Sequence, residues 1–223
     1  MNGPTIKIGF IFDLDGTLVD SEKQIENCLD KARIFLGYGS SPIDQIRMRL
    51  GLPIKDLVSD LDLKTPELAE LVALFRGYLI LEIEKENVIY EGVVDFLGEL
   101  KLSGYSVSIA TSKPTYLAKL VIKNSTLAPL VDHVQGTEGF PHKPAPDVIL
   151  GCMSALNIDQ AIMFGDRKED MQAAINSGIL GIGIAQSIHS TSDLISAGAT
   201  FAFDKFADVN GELNSFLGML NIE

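Results

Sequence analysis

The chain has 223 residues, of which 46% are hydrophobic and 22% charged, a composition typical of globular proteins with a sizeable core. Its net charge of -12 disfavours polyanions, so we expect neither nucleic acid nor an anionic membrane surface as a partner. The two cysteines, Cys28 and Cys152, stand far apart, which indicates neither a disulfide framework nor a zinc site. Because no leader peptide and no membrane-length apolar run is apparent, we expect a cytoplasmic protein.

The order of apolar patterns predicts an α/β fold. Residues 6–12 form an apolar run typical of a strand buried on both faces of a parallel sheet. Ser21 and Gln24 form a potential capping box, after which apolar side chains recur with helical spacing. Beyond Tyr90 the predicted elements are helix 93–102, strand 106–110, helix 114–123, strand 131–135, helix 146–156, strand 161–164, helix 168–177, strand 181–184, edge strand 199–203 and a terminal helix. This alternation predicts a doubly wound, Rossmann-like parallel sheet.

Two domains follow from the position of the helical stretch. Residues 18–88 carry helical periodicity throughout and separate the first predicted strand from all the others. We therefore predict a core formed by residues 1–17 and 89–223, with residues 18–88 inserted as an all-helical cap domain.

Polar motifs follow several of the predicted strands. They are Asp13-Leu14-Asp15-Gly16-Thr17, Thr111-Ser112-Lys113, the loop His142-Lys143-Pro144, and Gly165-Asp166-Arg167-Lys168-Glu169-Asp170. Each motif alone has an ordinary explanation as a turn, a helix cap or a solvated charge. Open parallel sheets, however, bind ligands at the carboxyl ends of their strands. The four segments together therefore predict one functional site at that edge.

In this order the motifs resemble those of the haloacid dehalogenase superfamily, whose phosphatases carry Asp-x-Asp-Gly-Thr, a strand-end Thr or Ser, a loop Lys and Gly-Asp-x-x-x-Asp. The resemblance covers nearly the whole chain, including the helical insert. It implies a phosphoric monoester hydrolase that attacks a small phosphorylated metabolite with the carboxylate of Asp13. The resulting aspartyl-phosphate is then released by water.

The chemistry of phosphate monoesters agrees with these roles. Because the ester is a dianion, a carboxylate nucleophile needs a divalent cation to neutralise and align both partners. Mg2+ prefers oxygen ligands, so we predict that Mg2+, or Mn2+ in its place, binds Asp13, Asp166 and the backbone carbonyl of Asp15. The Asp15 side chain, two residues along an extended segment, can protonate the leaving alcohol and later accept a proton from water.

The resemblance also implies roles for the other motifs. Lys143 bridges the nucleophile and the phosphate, while Thr111 and the backbone amides near Ser112 and Gly16 donate to phosphate oxygens. Asp170 is expected behind these groups, where it orients Lys143 or a water on the metal.

The substrate is less sharply indicated than the chemistry. Residues 143–147, Lys-Pro-Ala-Pro-Asp, are similar to the phosphoglycolate phosphatase pattern, which we take as the first interpretation. Residues 90–92, 111–114 and 165–167 look more like a 5'-nucleotidase-like subgroup, and a sugar phosphomutase can share the first motif. Asp15 argues against a dehalogenase, because a halide leaves without a proton.

The cap should determine selectivity, since the core supplies the chemistry. Arg47 and Arg49 precede a Gly-Leu-Pro turn at residues 51–53, so we expect this segment to face the site and contact the far end of the substrate. The sequence is compatible with a monomer or a homodimer.

Overall fold

The computed structural model describes residues 6–40, 46, 48–49, 51–85 and 87–220. The strands are β1 (Ile8–Phe12), β2 (Ser106–Ala110), β3 (His133–Gln135), β4 (Gln160–Gly165), β5 (Leu180–Ile184) and β6 (Phe201–Phe203). They form one parallel sheet in the order β3-β2-β1-β4-β5-β6. The first strand is therefore central, and its carboxyl end lies between those of β2 and β4.

Helices connect these strands. They are α1 (Glu22–Phe35), α2 (Ile54–Leu57), α3 (Thr65–Ile83), α4 (Val93–Leu102), α5 (Thr115–Lys123), α6 (Asp147–Leu156), α7 (Lys168–Asn176), α8 (Thr191–Ser196) and α9 (Leu213–Met219), with a short 3-10 helix at Phe206–Val209. The predicted doubly wound α/β fold is confirmed, and the predicted strands lie within two residues of the observed ones. Helix α8 was not predicted. Within the described residues, none of the helices combines the length and apolar character needed to cross a bilayer.

Strand β1 is buried on both faces, as its uninterrupted apolar sequence predicts. Phe10 and Phe12 point to one face, where Phe12 stacks on Phe164 at a ring-centroid distance of 4.8 Å. Ile11 points to the other face and packs with Val148 of α6 and neighbouring apolar side chains. Alternating side chains of one strand thus join two hydrophobic cores, one on each side of the sheet.

Two short linkers join the helical insert to the sheet. The backbone amide of Asp20 donates to the carbonyl of Val88 at 2.8 Å, and that of Tyr90 donates to Leu18 at 3.1 Å. Between them, the described part of residues 22–85 contains helices and turns but no strand. The division into a core and a cap at residues 18 and 88 stays a prediction, with which this pairing of the entering and leaving chain agrees.

Candidate active site

The end of β1 positions the first motif. The amide of Asp13 donates to the carbonyl of Phe164 at 2.8 Å, so this residue is still held by the sheet. The chain turns at Gly16, where φ is +85° and an added Cβ would lie 2.5 Å from Oδ2 of Asp166. Both the left-handed backbone and the lack of space require glycine here. The turn thereby brings the first motif against the loop that follows β4.

Three buried carboxylates meet at this edge of the sheet. Asp13, Asp166 and Asp170 each offer an oxygen atom within 4.8 Å of the others. Lys143 Nζ lies 2.7 Å from Oδ1 of Asp13, donates to the carbonyl of Ala110 at 3.1 Å, and also pairs with Asp170. The structure therefore brings Asp13, Lys143 and Asp166 together. Asp170 contacts Lys143, which is consistent with the expectation that it orients this lysine, and its carboxylate also lies close to those of Asp13 and Asp166.

The environment of this cluster changes its protonation. Burial raises the pKa of Asp13 to about 6, although the adjacent Lys143 opposes the rise. Burial, together with the charges of Asp170 and Asp13, raises the pKa of Asp166 to about 7. For Lys143, burial acts to lower the pKa, but the two carboxylates it contacts raise it above the ordinary value. With three carboxylates around one ammonium group, the cluster therefore binds protons more readily than separate aspartates would.

Hydroxyl groups hold Asp166 in place. Thr17 Oγ1 donates to Oδ1 of Asp166 at 2.9 Å, and the Ser187 hydroxyl donates to Oδ2. Thr17 belongs to the first motif, whereas Ser187 follows β5 and was given no role from the sequence. Its position three residues after the end of β5 is the signal that could have identified it.

Asp15 occupies a different environment from Asp13. Lys113 Nζ lies 2.9 Å from Oδ1 of Asp15, and the Ser21 hydroxyl donates to the same oxygen at 2.5 Å. The predicted capping box at Ser21 and Gln24 is wrong, because the Ser21 side chain makes no capping hydrogen bond. The ion pair of Lys113 with Asp15 was also not predicted, although Lys113 belongs to the Thr-Ser-Lys motif.

The predicted phosphate-binding residues lie on the same cavity. Thr111 is buried at the end of β2, and its Oγ1 accepts a hydrogen bond from the amide of Lys113 at 3.2 Å. Ser112 is half-buried beside it, and its carbonyl accepts a hydrogen bond from Thr137 Oγ1 at 3.0 Å. Both residues line a cavity of about 620 Å3 that Asp13, Asp15 and Lys143 also line.

The helical insert meets the fourth motif beside this cavity. Arg167 Nη2 donates to the carbonyl of Met48 at 3.2 Å, so a side chain next to Asp166 reaches across to the insert. Of the two arginines expected to contact the substrate, Arg49 is not among the described residues that line the cavity. Arg47 lies outside the described residues. The cation that the described part of helix α3 contributes to the cavity is Arg76.

Comparison with known proteins identifies the family. Residues 10–184 match the haloacid dehalogenase-like hydrolase family. The chain belongs to this family. A probable phosphatase, IndB, from Dickeya dadantii (strain 3937) is 32% identical over 215 residues, covering 93% of this chain and 94% of that protein. A phosphoglycolate phosphatase from Psychrobacter arcticus (strain DSM 17307 / VKM B-2377 / 273-4) is 29% identical, covering 88% of this chain and 91% of that protein.

A solved structure agrees with this assignment. A haloacid dehalogenase-like family hydrolase from Streptococcus pneumoniae aligns with a TM-score of 0.79 and 30% identity, covering 92% of this chain and 96% of that chain. The predicted family is therefore confirmed, and the names of the relatives agree with the predicted enzyme class, a phosphoric monoester hydrolase.

The carboxylate cluster of this haloacid dehalogenase-like hydrolase fits a hard divalent cation. Asp13, Asp166 and Asp170 supply oxygen donors, which Mg2+ prefers, and together they carry more negative charge than Lys143 alone can balance. The side chain of Asp15 is not part of this group and is paired with Lys113 instead. The backbone carbonyl of Asp15 stays a predicted ligand.

Proposed function

We propose that this protein is a Mg2+-dependent phosphatase that hydrolyses a small phosphate monoester through an aspartyl-phosphate on Asp13. The observation that supports it best is the contact of 2.7 Å between Lys143 Nζ and Oδ1 of Asp13, beside two further buried carboxylates. One cation thus holds the attacking group at the floor of a cavity that a substrate can enter. The family and the named relatives support the same reaction class.

In the first half of the reaction, a carboxylate oxygen of Asp13 attacks phosphorus. The bond from phosphorus to the ester oxygen breaks, and the protonated form of Asp15 gives its proton to the departing alkoxide. Lys143 keeps the attacking carboxylate in place and offsets charge on the phosphoryl oxygens. When bound by Asp13, Asp166 and Asp170, Mg2+ supplies positive charge that reduces repulsion between the two anions.

In the second half, water attacks phosphorus of the aspartyl-phosphate. Asp15, now ionised, accepts a proton from that water, and the acyl-phosphate bond to Asp13 breaks. Thr111 and the amides near Ser112 and Gly16 are the proposed donors to the phosphoryl oxygens. Inorganic phosphate and the free carboxylate of Asp13 result, so the enzyme returns to its starting state.

Phosphoglycolate is the first substrate to assay, because it gives one of the relatives its name. Nucleoside monophosphates and sugar phosphates are the alternatives, and isomerisation of a sugar phosphate would indicate a mutase instead. A small phosphorylated metabolite remains the proposed partner, and the cytoplasm the proposed location.

The test removes the nucleophile without changing its size. Asp13→Asn should lower phosphate release from p-nitrophenyl phosphate by at least about 1,000-fold, whereas Asp95→Asn at an exposed position of α4 should have no effect. Chelation of divalent ions should abolish wild-type activity, and Mg2+ or Mn2+ should restore it. A folded Asp13→Asn protein with near-wild-type turnover would refute the mechanism.

A further inference from the structure

The cavity above Asp13 is divided into a polar floor and an apolar wall. Its volume is about 620 Å3. The core supplies the polar floor, which includes Asp13, Thr111 and Lys143. The helical insert supplies a wall. Its described residues at the cavity are mostly apolar and include Ile25, Leu52, Leu57, Leu68, Phe75 and Leu79.

The helices of the insert explain this division. Leu68, Phe75 and Leu79 are spaced by seven and four residues, so they share one face of α3. Ile25 extends the wall from α1. Phe75, Leu79 and Ile25 are each less than a tenth exposed, so packing against neighbouring side chains fixes their positions. The wall is therefore a built surface with a defined shape.

The size of the cavity exceeds the needs of a two-carbon phosphate. Sites that enclose drug-sized ligands measure about 300–1,000 Å3, and the observed volume of about 620 Å3 lies within that range. A molecule as small as phosphoglycolate would leave the accessible part of the apolar wall, chiefly at the half-buried Leu52 and Leu68, in contact with water. A larger apolar group would displace that water, which is favourable in proportion to the area covered.

The charged groups of the wall do not outweigh its apolar character. Lys55 is exposed and Arg76 half-buried, so both side chains can stay hydrated while their carbon atoms border the cavity. A substrate carboxylate could pair with Arg76, and this alternative makes a distinct prediction in the experiment below.

We propose, on the basis of the phosphatase function above, that the substrate is a phosphate monoester of an apolar alcohol, aromatic or long aliphatic. Its phosphate contacts the floor at Asp13 and Lys143, and its apolar body lies against the wall formed by α1 and α3. The division of the cavity therefore also selects the substrate. The phosphate is unsuited to the apolar wall, and the apolar body is unsuited to the polar floor.

The first arm of the test measures kcat/KM for unbranched alkyl phosphates, from methyl to octyl, alongside phosphoglycolate. The basicity of the leaving alcohol changes little beyond ethyl, so differences report binding of the chain. We expect kcat/KM to rise by about fourfold for each added methylene until the cavity is filled. Methyl phosphate and phosphoglycolate should be the poorest substrates.

The second arm changes the wall. Leu68→Ala, at a half-buried position, should lower kcat/KM for hexyl phosphate by at least about fivefold and leave methyl phosphate nearly unchanged. Leu81→Ala is the matched control, because Leu81 lies on the same helix but is 56% exposed and does not line the cavity. Arg76→Met should preserve the preference for long chains.

The possible outcomes separate the two proposals. If no ester is hydrolysed, p-nitrophenyl phosphate included, the phosphatase function is refuted and this inference with it. If esters are hydrolysed but kcat/KM does not rise with chain length, the inference alone is overturned. The same holds if phosphoglycolate is the best substrate and Arg76→Met selectively abolishes its hydrolysis.

Discussion

Lys143 offers the sharpest test of the charge balance in the site. Its side chain is 4% exposed and lies between Asp13 and Asp170, whose side chains are 8% and 1% exposed. Among the described residues, it is the only cation paired with the three-carboxylate cluster. Lys143→Met keeps the length and apolar stem of the side chain but removes its charge, so the variant isolates the electrostatic contribution.

The expected loss of stability is large. Removing one partner of a buried ion pair typically costs about 3–5 kcal/mol, because the remaining charge stays buried without compensation. We expect this loss in the free energy of unfolding of the metal-free protein at about pH 8. The loss should be smaller at about pH 5, because Asp13 and Asp166, with pKa values raised by burial to about 6 and about 7, then bind protons in the folded state.

Urea denaturation in the presence of a chelator measures this difference. Lys119→Met provides the matched control, since Lys119 is exposed on α5 and should tolerate the change within about 0.5 kcal/mol. Adding Mg2+ should recover part of the stability of Lys143→Met, because the cation replaces the missing charge. If Lys143→Met is as stable as the wild type at about pH 8 without metal, the buried pair is not ionised and the assigned charge balance is wrong.

Two further predictions concern Asp15 and the metal. Lys113→Met should slow hydrolysis of alkyl phosphates by about 100-fold but p-nitrophenyl phosphate by less than about tenfold, because the nitrophenolate leaves without a proton and has less need of a positioned Asp15. Equal losses for both esters would mean that Lys113 does not act through Asp15. Lys113→Arg keeps the positive charge, so it should hydrolyse both esters at rates near those of the wild type. Mg2+ should raise the melting temperature of the wild type more at about pH 8 than at about pH 5, because protons compete for Asp13 and Asp166. Equal shifts at the two values would contradict metal binding by these carboxylates.

The fold could be predicted because local patterns and topology agree. The apolar run that ends at Phe12 indicates a central strand, and β1 does lie at the centre of the sheet. Helix α8 was missed because it has only six residues and its main signal is a cap, with Ser190 Oγ accepting from the amide of Asp193 at 3.2 Å. So short a helix carries too few apolar residues to show a periodicity.

The floor of the site could be predicted for a related reason. Parallel strands place their carboxyl ends at one edge, so residues such as Asp13, Thr111 and Asp166 converge whatever the details of packing. Contacts between side chains of different segments follow no such rule. Ser21 carries a sequence signal for a helix cap, yet its hydroxyl binds Asp15, because the turn between them brings the two side chains together. The partner of Lys113 likewise becomes evident only in three dimensions.

The proposed basis of selectivity lies in the part of the chain that sequence patterns describe least well. Their charge made Arg47 and Arg49 the predicted substrate contacts. The described cavity wall, however, consists mainly of apolar side chains, and their spacing is equally typical of a helix that packs in a core. Leu71 and Leu79 both lie on α3, and only Leu79 reaches the cavity. Which apolar residues pack against α1 and which face the substrate is decided by the angle between two helices, and no periodicity encodes that angle. In a fold whose floor performs the chemistry, a few degrees of helix packing can therefore change the substrate while every motif residue stays in place.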